Sequence, residues 1–461
     1  MSRPVFSGGA AAAIFAWPLV IVVAGLAARL PLMGSPGFLH DQEQFIVWGM
    51  VARDRGLAHV YDVIETPAGP KRLSNYPPVQ NLICRWLAGA YGVVTGRPLD
   101  EEVLGEVARR EESRAARAAY TLFKWPAMAA DLAAGLALYY FARRRAPLHF
   151  AGAVGLVYVL LPNVWHNSAA WGAVDALPAL AVLFSLEAAL GRRMTPMWGF
   201  AALAVLIKPQ ACIFAPLWVL ATLRPRAAGG RQMLGAGAVA AVIALAVIAP
   251  FRGALGGVRE AYTGAPAYYP LTHLNGFSAW FLGRPLLESH LEGDLLAHYA
   301  RDDRPVALGL TARQIGVAAF LGVTGFVCVS VWRRKADDAS LRWAACVIPL
   351  AFFVLSTQMH ERYLYPAVAS WAWAMSPARR AWIGLGVLAA CAGINVFWVW
   401  PAPWEESLRA ALHRTWLGIP PGVWCAAGVA GVLVWTLSAS PKAWGACTQE
   451  VQPSQTDATV C

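Results

Sequence analysis

Long apolar runs recur along this chain, and short arginine clusters punctuate them. The runs cover about residues 12–33, 119–141, 148–162, 172–190, 197–223, 232–250, 307–332, 341–357, 363–376, 381–400 and 421–438. An α-helix needs about 20 apolar residues to cross the hydrocarbon of a bilayer, and lipid offers no partners for an open backbone. The repetition therefore restricts the chain to an all-α polytopic membrane protein. Charged residues make up 14% of the chain, against about 25% in soluble domains. Mean hydropathy is +0.47. The 461 residues leave room for a bundle of about 11–13 transmembrane helices.

The arginine clusters constrain topology, because Lys and Arg collect in cytoplasmic loops. They are Arg143-Arg144-Arg145, Arg192-Arg193, Arg224 with Arg226 and Arg231, Arg333-Arg334-Lys335 and Arg379-Arg380. Placing all of them on one side has two consequences. The run 197–223 crosses twice, as two short helices hinged at Lys208-Pro209-Gln210. The stretch 79–95, which carries Arg85 and follows Pro77-Pro78, is an interfacial or re-entrant helix instead of a full span. Segments 34–118, 163–171, 251–306 and 357–362 then lie outside. The net charge of +11 belongs to this loop bias, so no nucleic acid partner is expected.

Residues 1–440 read as one transmembrane domain, with 34–118 as a first external loop and 251–306 as a second. Ala10 to Leu32 is long for a signal-peptide core and is expected to remain as a first helix. Pro98 to Ala118 mixes acids with arginines and predicts a solvated surface helix laced with i,i+4 pairs. Residues 441–461 form a polar tail expected to be disordered. Cys84, Cys212, Cys328, Cys346, Cys391 and Cys425 sit in apolar surroundings without metal-ligand spacing, as small core residues do. No internal repeat is visible.

Several polar motifs interrupt this apolar pattern. His40-Asp41-Gln42-Glu43 follows the first run, with Trp48 seven residues beyond Asp41. A carboxylate at the outer boundary can deprotonate a sugar hydroxyl, or it can cap a helix lying on the membrane; the residues alone leave both readings open. Asn75-Tyr76-Pro77-Pro78 reads by itself as a rigid turn that starts a helix. Lys124 and Asp131 lie on one face of an apolar helix, where ions pair, snorkel or line a wet cavity. Trp165-His166-Asn167 and Trp171 with Asp175 combine aromatic faces for sugar rings with polar groups for hydroxyls; the alternative is an interfacial aromatic belt. Lys208-Pro209-Gln210 breaks a helix and offers a cation to a phosphate or to freed carbonyls. His360-Glu361-Arg362 occupies a short external turn. There it suits a phosphate diester or forms an interfacial Arg–Glu pair.

These pieces stand in an order that resembles the GT-C superfamily of polyprenyl-phosphate-sugar glycosyltransferases. More narrowly, the chain looks like bacterial relatives of the second mannosyltransferase of GPI-anchor assembly. It is also similar to the dolichyl-phosphate-glucose glucosyltransferases of asparagine-linked glycosylation. The likeness covers about residues 35–370, while Gln42, Gln44 and Phe45 depart from the glucosyltransferase pattern after the first aspartate. The resemblance implies a GT-C-like bundle and an external active site. It implies transfer of a hexose, mannose or glucose, with inversion, from a polyprenyl-phosphate carrier to a lipid-linked or envelope glycan acceptor. Asp41 would be the general base. His360, Arg362 and Lys208 would hold the donor phosphate. Glu43, Trp48, Tyr76, Trp165, His166, Asn167, Trp171 and Asp175 would bind sugar or acceptor. No cofactor is required, although Asp41 with Glu43 leaves room for a divalent ion. The composition suggests a bacterial inner membrane. Two other classes stay open: a transporter or lipid flippase coupled through Lys124, Asp131 and Lys208, and a non-catalytic assembly partner in envelope glycan synthesis.

Overall fold

The computed structural model describes residues 8–65, 70–224, 229–264, 269–283, 300–402 and 405–444. Arg226 and much of the second external loop (265–268 and 284–299) lie outside the described residues, as does 445–461 of the polar tail.

The fold is all-α and built for a membrane. Among the described residues, strands are confined to two short antiparallel pairs, Val63–Ile64 with Lys71–Arg72 and Pro305–Ala307 with Leu310–Thr311, besides isolated bridges. Among the described residues, 6 helices are long and apolar enough to cross a bilayer, or 7 if the bent pair Leu148–Leu160 and Pro162–Trp171 is one span. The sequence pattern predicted about 11–13. The difference lies in the helices Ala176–Leu190, Met194–Ile207 and Pro209–Thr222, which are shorter. It lies also in the 30-residue helix Arg114–Arg143, which carries Lys124 and Asp131.

The break expected at Lys208 is present. Met194–Ile207 stops where Lys208 turns extended, and Pro209 opens a 3-10 turn through Phe214 before helix Ala215–Thr222. Proline has no N–H for the preceding helical turn and fits the first turn of a new one.

Arginine clusters gather at one end of the bundle. Arg144 and Arg145 each reach Glu187 at 3.4 Å. Arg224 bonds Asp338 at 2.8 Å and the Ala189 carbonyl at 3.4 Å. Arg145 lies over the Trp373 ring at 5.6 Å. Helices 148–160, 194–207, 338–355 and 379–399 rise from this end, and helices 176–190 and 365–374 return to it. At the other end Lys208 pairs with Asp175 where helices 194–207 and 176–190 meet, and Arg362 reaches Asp41 of the loop 34–118.

That loop is a folded unit. Helix α1 (Leu39–Asp54) packs on α2 (Pro78–Thr95), α3 (Glu101–Ala108) and the start of α4 (Arg114–Arg143). Phe45, Trp48, Tyr91, Leu99, Val103, Val107 and Tyr120 form its core. Helix α2 has Pro78 in its first turn and ends at Gly96 in the left-handed region. It buries Asn81, Cys84, Ala88 and Tyr91 and exposes Trp86 and Val93. It is not among the helices apolar enough to span, as the Arg85 argument expected. The single surface helix expected over 98–118 is corrected to two. Arg110 adopts φ 55°, and Ser113 caps a new helix by accepting from the Ala116 N–H at 3.0 Å. The ion pairs Arg97–Glu102, Arg109–Glu111 and Arg117–Glu112 therefore bridge helix ends instead of running i,i+4 along a face. The tail is ordered slightly further than expected, since Pro441–Trp444 forms a turn with Trp444 against Trp371 at 5.0 Å.

Candidate functional site

The site forms where the opening of α1 meets an irregular helix turn. Residues Pro162–Trp165 continue into a π-helical turn, His166–Trp171. Such wide turns carry an extra residue and re-aim side chains. The turn ends at Gly172 with φ 84°, and a Cβ there would come within 2.6 Å of the Gln42 amide nitrogen. Glycine is required both for the left-handed backbone and for this approach. Phe38 N–H donates to the Trp171 carbonyl at 2.9 Å, and the two rings stack at 4.4 Å. These contacts aim the first turn of α1 at Trp171.

Asp41 is therefore not a cap. The N-cap position belongs to Phe38, which makes no side-chain capping bond, and Asp41 sits within the first turn. Its Oδ2 accepts from Trp171 Nε1 at 2.8 Å and faces Arg362 Nη1 at 3.3 Å. The cap reading fails because the carboxylate turns away from its own helix toward groups from two distant segments.

Arg362 is the hub. Its guanidinium meets Glu361 at 3.1 Å, Asp41 at 3.3 Å and Asp175 at 3.5 Å, and lies over the Trp171 ring at 5.2 Å. Lys208 pairs with Asp175 and sits over the Tyr363 ring at 5.0 Å. Asn167 Nδ2 donates to Asp175 at 3.4 Å, and Gln210 Nε2 to the Tyr363 hydroxyl at 3.1 Å. His360 Nδ1 lies 3.7 Å from Glu361, with its ring against Tyr269 and Tyr363. Two permanent cations, Lys208 and Arg362, thus face three carboxylates, Asp41, Asp175 and Glu361. Both cations expected to wait for a phosphate are already engaged by acids. The Asp41 side chain is 14% exposed and that of Glu361 only 3%, so of the two Asp41 is the more accessible.

Electrostatics follow from this packing. Burial opposes a charge on Glu361, but the nearby His360 ring and the Arg362 charge outweigh it and hold the carboxyl below its usual range. Burial likewise opposes the Arg362 charge, yet Asp41 and Glu361 raise its pKa well above the usual value. Burial pushes the Tyr76 phenol up to about 12, against the pull of Lys208 and Arg362. Tyr76 is therefore a neutral hydroxyl at physiological pH. Its backbone is held by Tyr61, Ser74 and Asn81, but the phenolic hydroxyl makes no hydrogen bond with a described residue.

The turn carrying Arg362 is held from outside. Asp302 is fully buried; its carboxylate accepts from Thr357 Oγ1 at 2.7 Å, Gln358 Nε2 at 2.8 Å and Arg313 at 2.7 Å. The Met359 carbonyl accepts from the Leu274 and Gly276 N–H groups at 2.9 Å each.

A narrow apolar groove leads away from this cluster. Asp175, Lys208, Gln210 and Tyr363 stand at its polar end, and Val182, Leu183, Phe214 and Phe352 line the remainder.

Not every expected residue joins the cluster. Glu43 is half-buried and makes no hydrogen bond or ion pair with a described residue, so it does not converge with Asp41. Trp48 donates to the Leu73 carbonyl at 2.8 Å and packs against Phe45 and Tyr76, which makes it a support for the Tyr76 ring. Trp165 packs on Phe397 at 5.7 Å. His166 is fully buried with Nε2 2.7 Å from the Trp400 carbonyl. Lys124 and Asp131 do not pair with each other. Lys124 donates to the Leu32 and Ser35 carbonyls at 2.9 and 2.8 Å, closing the end of the first helix, Gly8–Met33. Asp131 pairs with Arg29 at 3.1 Å and accepts from Tyr365. The phosphate reading of His360-Glu361-Arg362 left Glu361 out of the site, whereas the Arg–Glu pair of the alternative reading is present at 3.1 Å. Asp302 carries no motif and becomes visible only through its partners. No protein-family model matches this chain, and no curated protein matches it.

Proposed function

We propose that this chain is a membrane glycosyltransferase of the GT-C type that takes a hexose from a polyprenyl-phosphate carrier, with inversion. The observation that carries the reading is the junction of an ionic cluster with an apolar groove. The apolar lining suits an isoprenoid chain in chemical character, and its phosphate would stand at the polar end beside Lys208, with Arg362 close by. A soluble sugar nucleotide gives no reason for such a groove. The resemblance in motif order supports the same donor. Mannose or glucose is the sugar it implies, and a lipid-linked or envelope glycan the acceptor. The cluster lies at the end of the bundle opposite the arginines, and the positive-inside bias supports an external site, on this reading in a bacterial inner membrane.

Asp41 is the base in this reading. Its carboxylate takes the proton of an acceptor hydroxyl as that oxygen bonds to the anomeric carbon. The bond from that carbon to the phosphate oxygen breaks, and the leaving polyprenyl phosphate keeps the electron pair. Lys208 and Arg362 stabilise its charge. In the free protein Arg362 faces Asp41 and Lys208 holds Asp175. An entering phosphate competes for both cations, so donor binding loosens Asp41 for the acceptor. Trp171 Nε1 continues to orient it. The Tyr76 hydroxyl is available to a sugar.

The test is a donor screen with purified protein, polyprenyl-phosphate mannose, glucose, galactose or arabinose, and a lipid extract as acceptor. Sugar transfer that disappears in Asp41→Asn supports the assignment; wild-type turnover by that variant removes Asp41 as base. The transport reading draws on a different observation, the buried Arg29–Asp131 pair. Its three expected coupling groups stand in separate surroundings, and only Lys208 borders the groove. Ion-driven solute uptake into liposomes without any lipid-linked sugar would favour transport instead.

A further inference from the structure

Two hairpins in this protein share an unusual design. In one, Ala307 pairs with Leu310 across the tip Leu308-Gly309. In the other, Trp416 pairs with Ile419 across Leu417-Gly418, with N–H to carbonyl distances of 2.8 and 3.1 Å. Both tips place two consecutive residues in the left-handed region: Leu308 at φ 51° with Gly309 at 75°, and Leu417 at 56° with Gly418 at 79°. Tips of this kind favour Asn, Asp or Gly at the first position, because a side chain is strained there. Leucine is a poor choice twice over, since it also presents its whole side chain outward. Leu308 is 99% exposed and Leu417 93%, the two most exposed large apolar residues among those described.

Position explains the choice. Each hairpin runs directly into a membrane-crossing helix, Ala312–Arg333 after the first and Pro421–Ser438 after the second. Each tip is therefore fixed at the level where lipid headgroups meet acyl chains. Each is also preceded by an exposed arginine, Arg304 or Arg414, that makes no hydrogen bond or ion pair with a described residue. Trp416, Ile419 and Trp424 add apolar surface beside the second tip. Apolar side chains with an adjacent unpaired arginine fit an interface of acyl chain below and phosphate above.

We infer that Leu308 and Leu417 are a pair of membrane anchors, inserted into the outer edge of the same leaflet that the two following helices enter. The surface is continuous with the lipid-facing sides of those helices, which is what selects lipid over a protein as the occupant. The first anchor has a structural route to the candidate site. Asp302, just before its hairpin, binds Thr357 and Gln358 of the turn that carries Arg362. The depth of the Leu308 tip thereby sets the height of that turn above the membrane.

The experiment places an environment-sensitive fluorescent amino acid at position 308 or 417 of the full chain. The protein is reconstituted in phosphatidylcholine–phosphatidylglycerol vesicles, and quenching by lipid bearing a shallow nitroxide is compared with quenching by aqueous iodide. Helical content by circular dichroism verifies that each labelled chain is folded. Several-fold stronger quenching by the nitroxide lipid at both positions is the expected result. Stronger quenching by iodide at either position overturns the inference, because the tip then stands in water. Protection from both quenchers also overturns it, because a protein surface then covers the tip. Neither readout depends on sugar transfer, so failure here is separable from failure of the proposed activity.

Discussion

At one buried cluster Arg362 divides its guanidinium among Asp41, Asp175 and Glu361; at the other Arg29 meets Asp131 alone. The Arg29 cluster is closed. Both side chains are 0% exposed. Arg29 also donates to the Gly25 and Val159 carbonyls at 2.9 and 3.0 Å. Tyr365 donates to Asp131, and its hydroxyl lies 2.9 Å from that of Tyr158. One acid balances one base, and helices surround both. The Arg362 cluster holds more acids than permanent cations, keeps Asp41 reachable and borders a groove. Ions buried among apolar helices are costly unless matched. A matched pair ties helices together, whereas an unbalanced, accessible set retains a group able to react. Composition is similar in the two places. Balance and access distinguish them.

The largest effect that separates them is expected from Asp41→Asn. Sugar transfer should fall by about 10⁴-fold, the upper range for loss of a general base, while thermal unfolding in detergent stays close to wild type. A large drop in unfolding temperature would instead make Asp41 a structural ion like Asp131. Next in size is Arg29→Met, which strands the Asp131 carboxylate among apolar helices. A loss of about 3–5 kcal/mol of stability is expected, with much of it restored by adding Asp131→Leu. An unchanged unfolding temperature in the single variant would mean that water reaches the pair.

Arg362→Lys should reduce transfer by about 10²-fold, because an ammonium cannot serve three carboxylates and a phosphate with one planar fork. The split between KM for the donor and kcat tells whether the guanidinium acts mainly in binding. The smallest effect concerns pH. Glu361 has a folded-state pKa below its ordinary 4.5. Its contribution to stability is therefore complete above 4.5 and is lost as pH falls through the lower, folded-state value. Wild type should lose stability on acidification below 4.5 more steeply than Glu361→Gln. Parallel pH profiles for the two would remove Glu361 from the electrostatic balance of the cluster.

Much of this protein follows from local pattern. Apolar runs dictate helices, because a backbone in lipid has no other way to satisfy itself. Pro209 after Lys208 dictates a break, and Pro78 a helix start, since proline lacks the N–H and fixes φ. The arginine clusters anticipated which helix ends lie together, and Asp41, Asp175, Lys208 and Arg362 were all legible as polar groups out of place. Their partners were not. A seven-residue spacing put Lys124 and Asp131 on one helical face, but spacing does not say which helix lies across from that face. Packing gave Asp131 to Arg29 and Lys124 to the carbonyls at the end of the first helix. Packing likewise turned Asp41 from a helix cap into a partner of Trp171 and Arg362, and brought in Asp302, which no motif marks. Which residues must be helical, and which are polar at a cost, is a property of the chain and its solvent. Which charges neutralise one another is settled by contacts between segments far apart in sequence, and only the tertiary structure determines those.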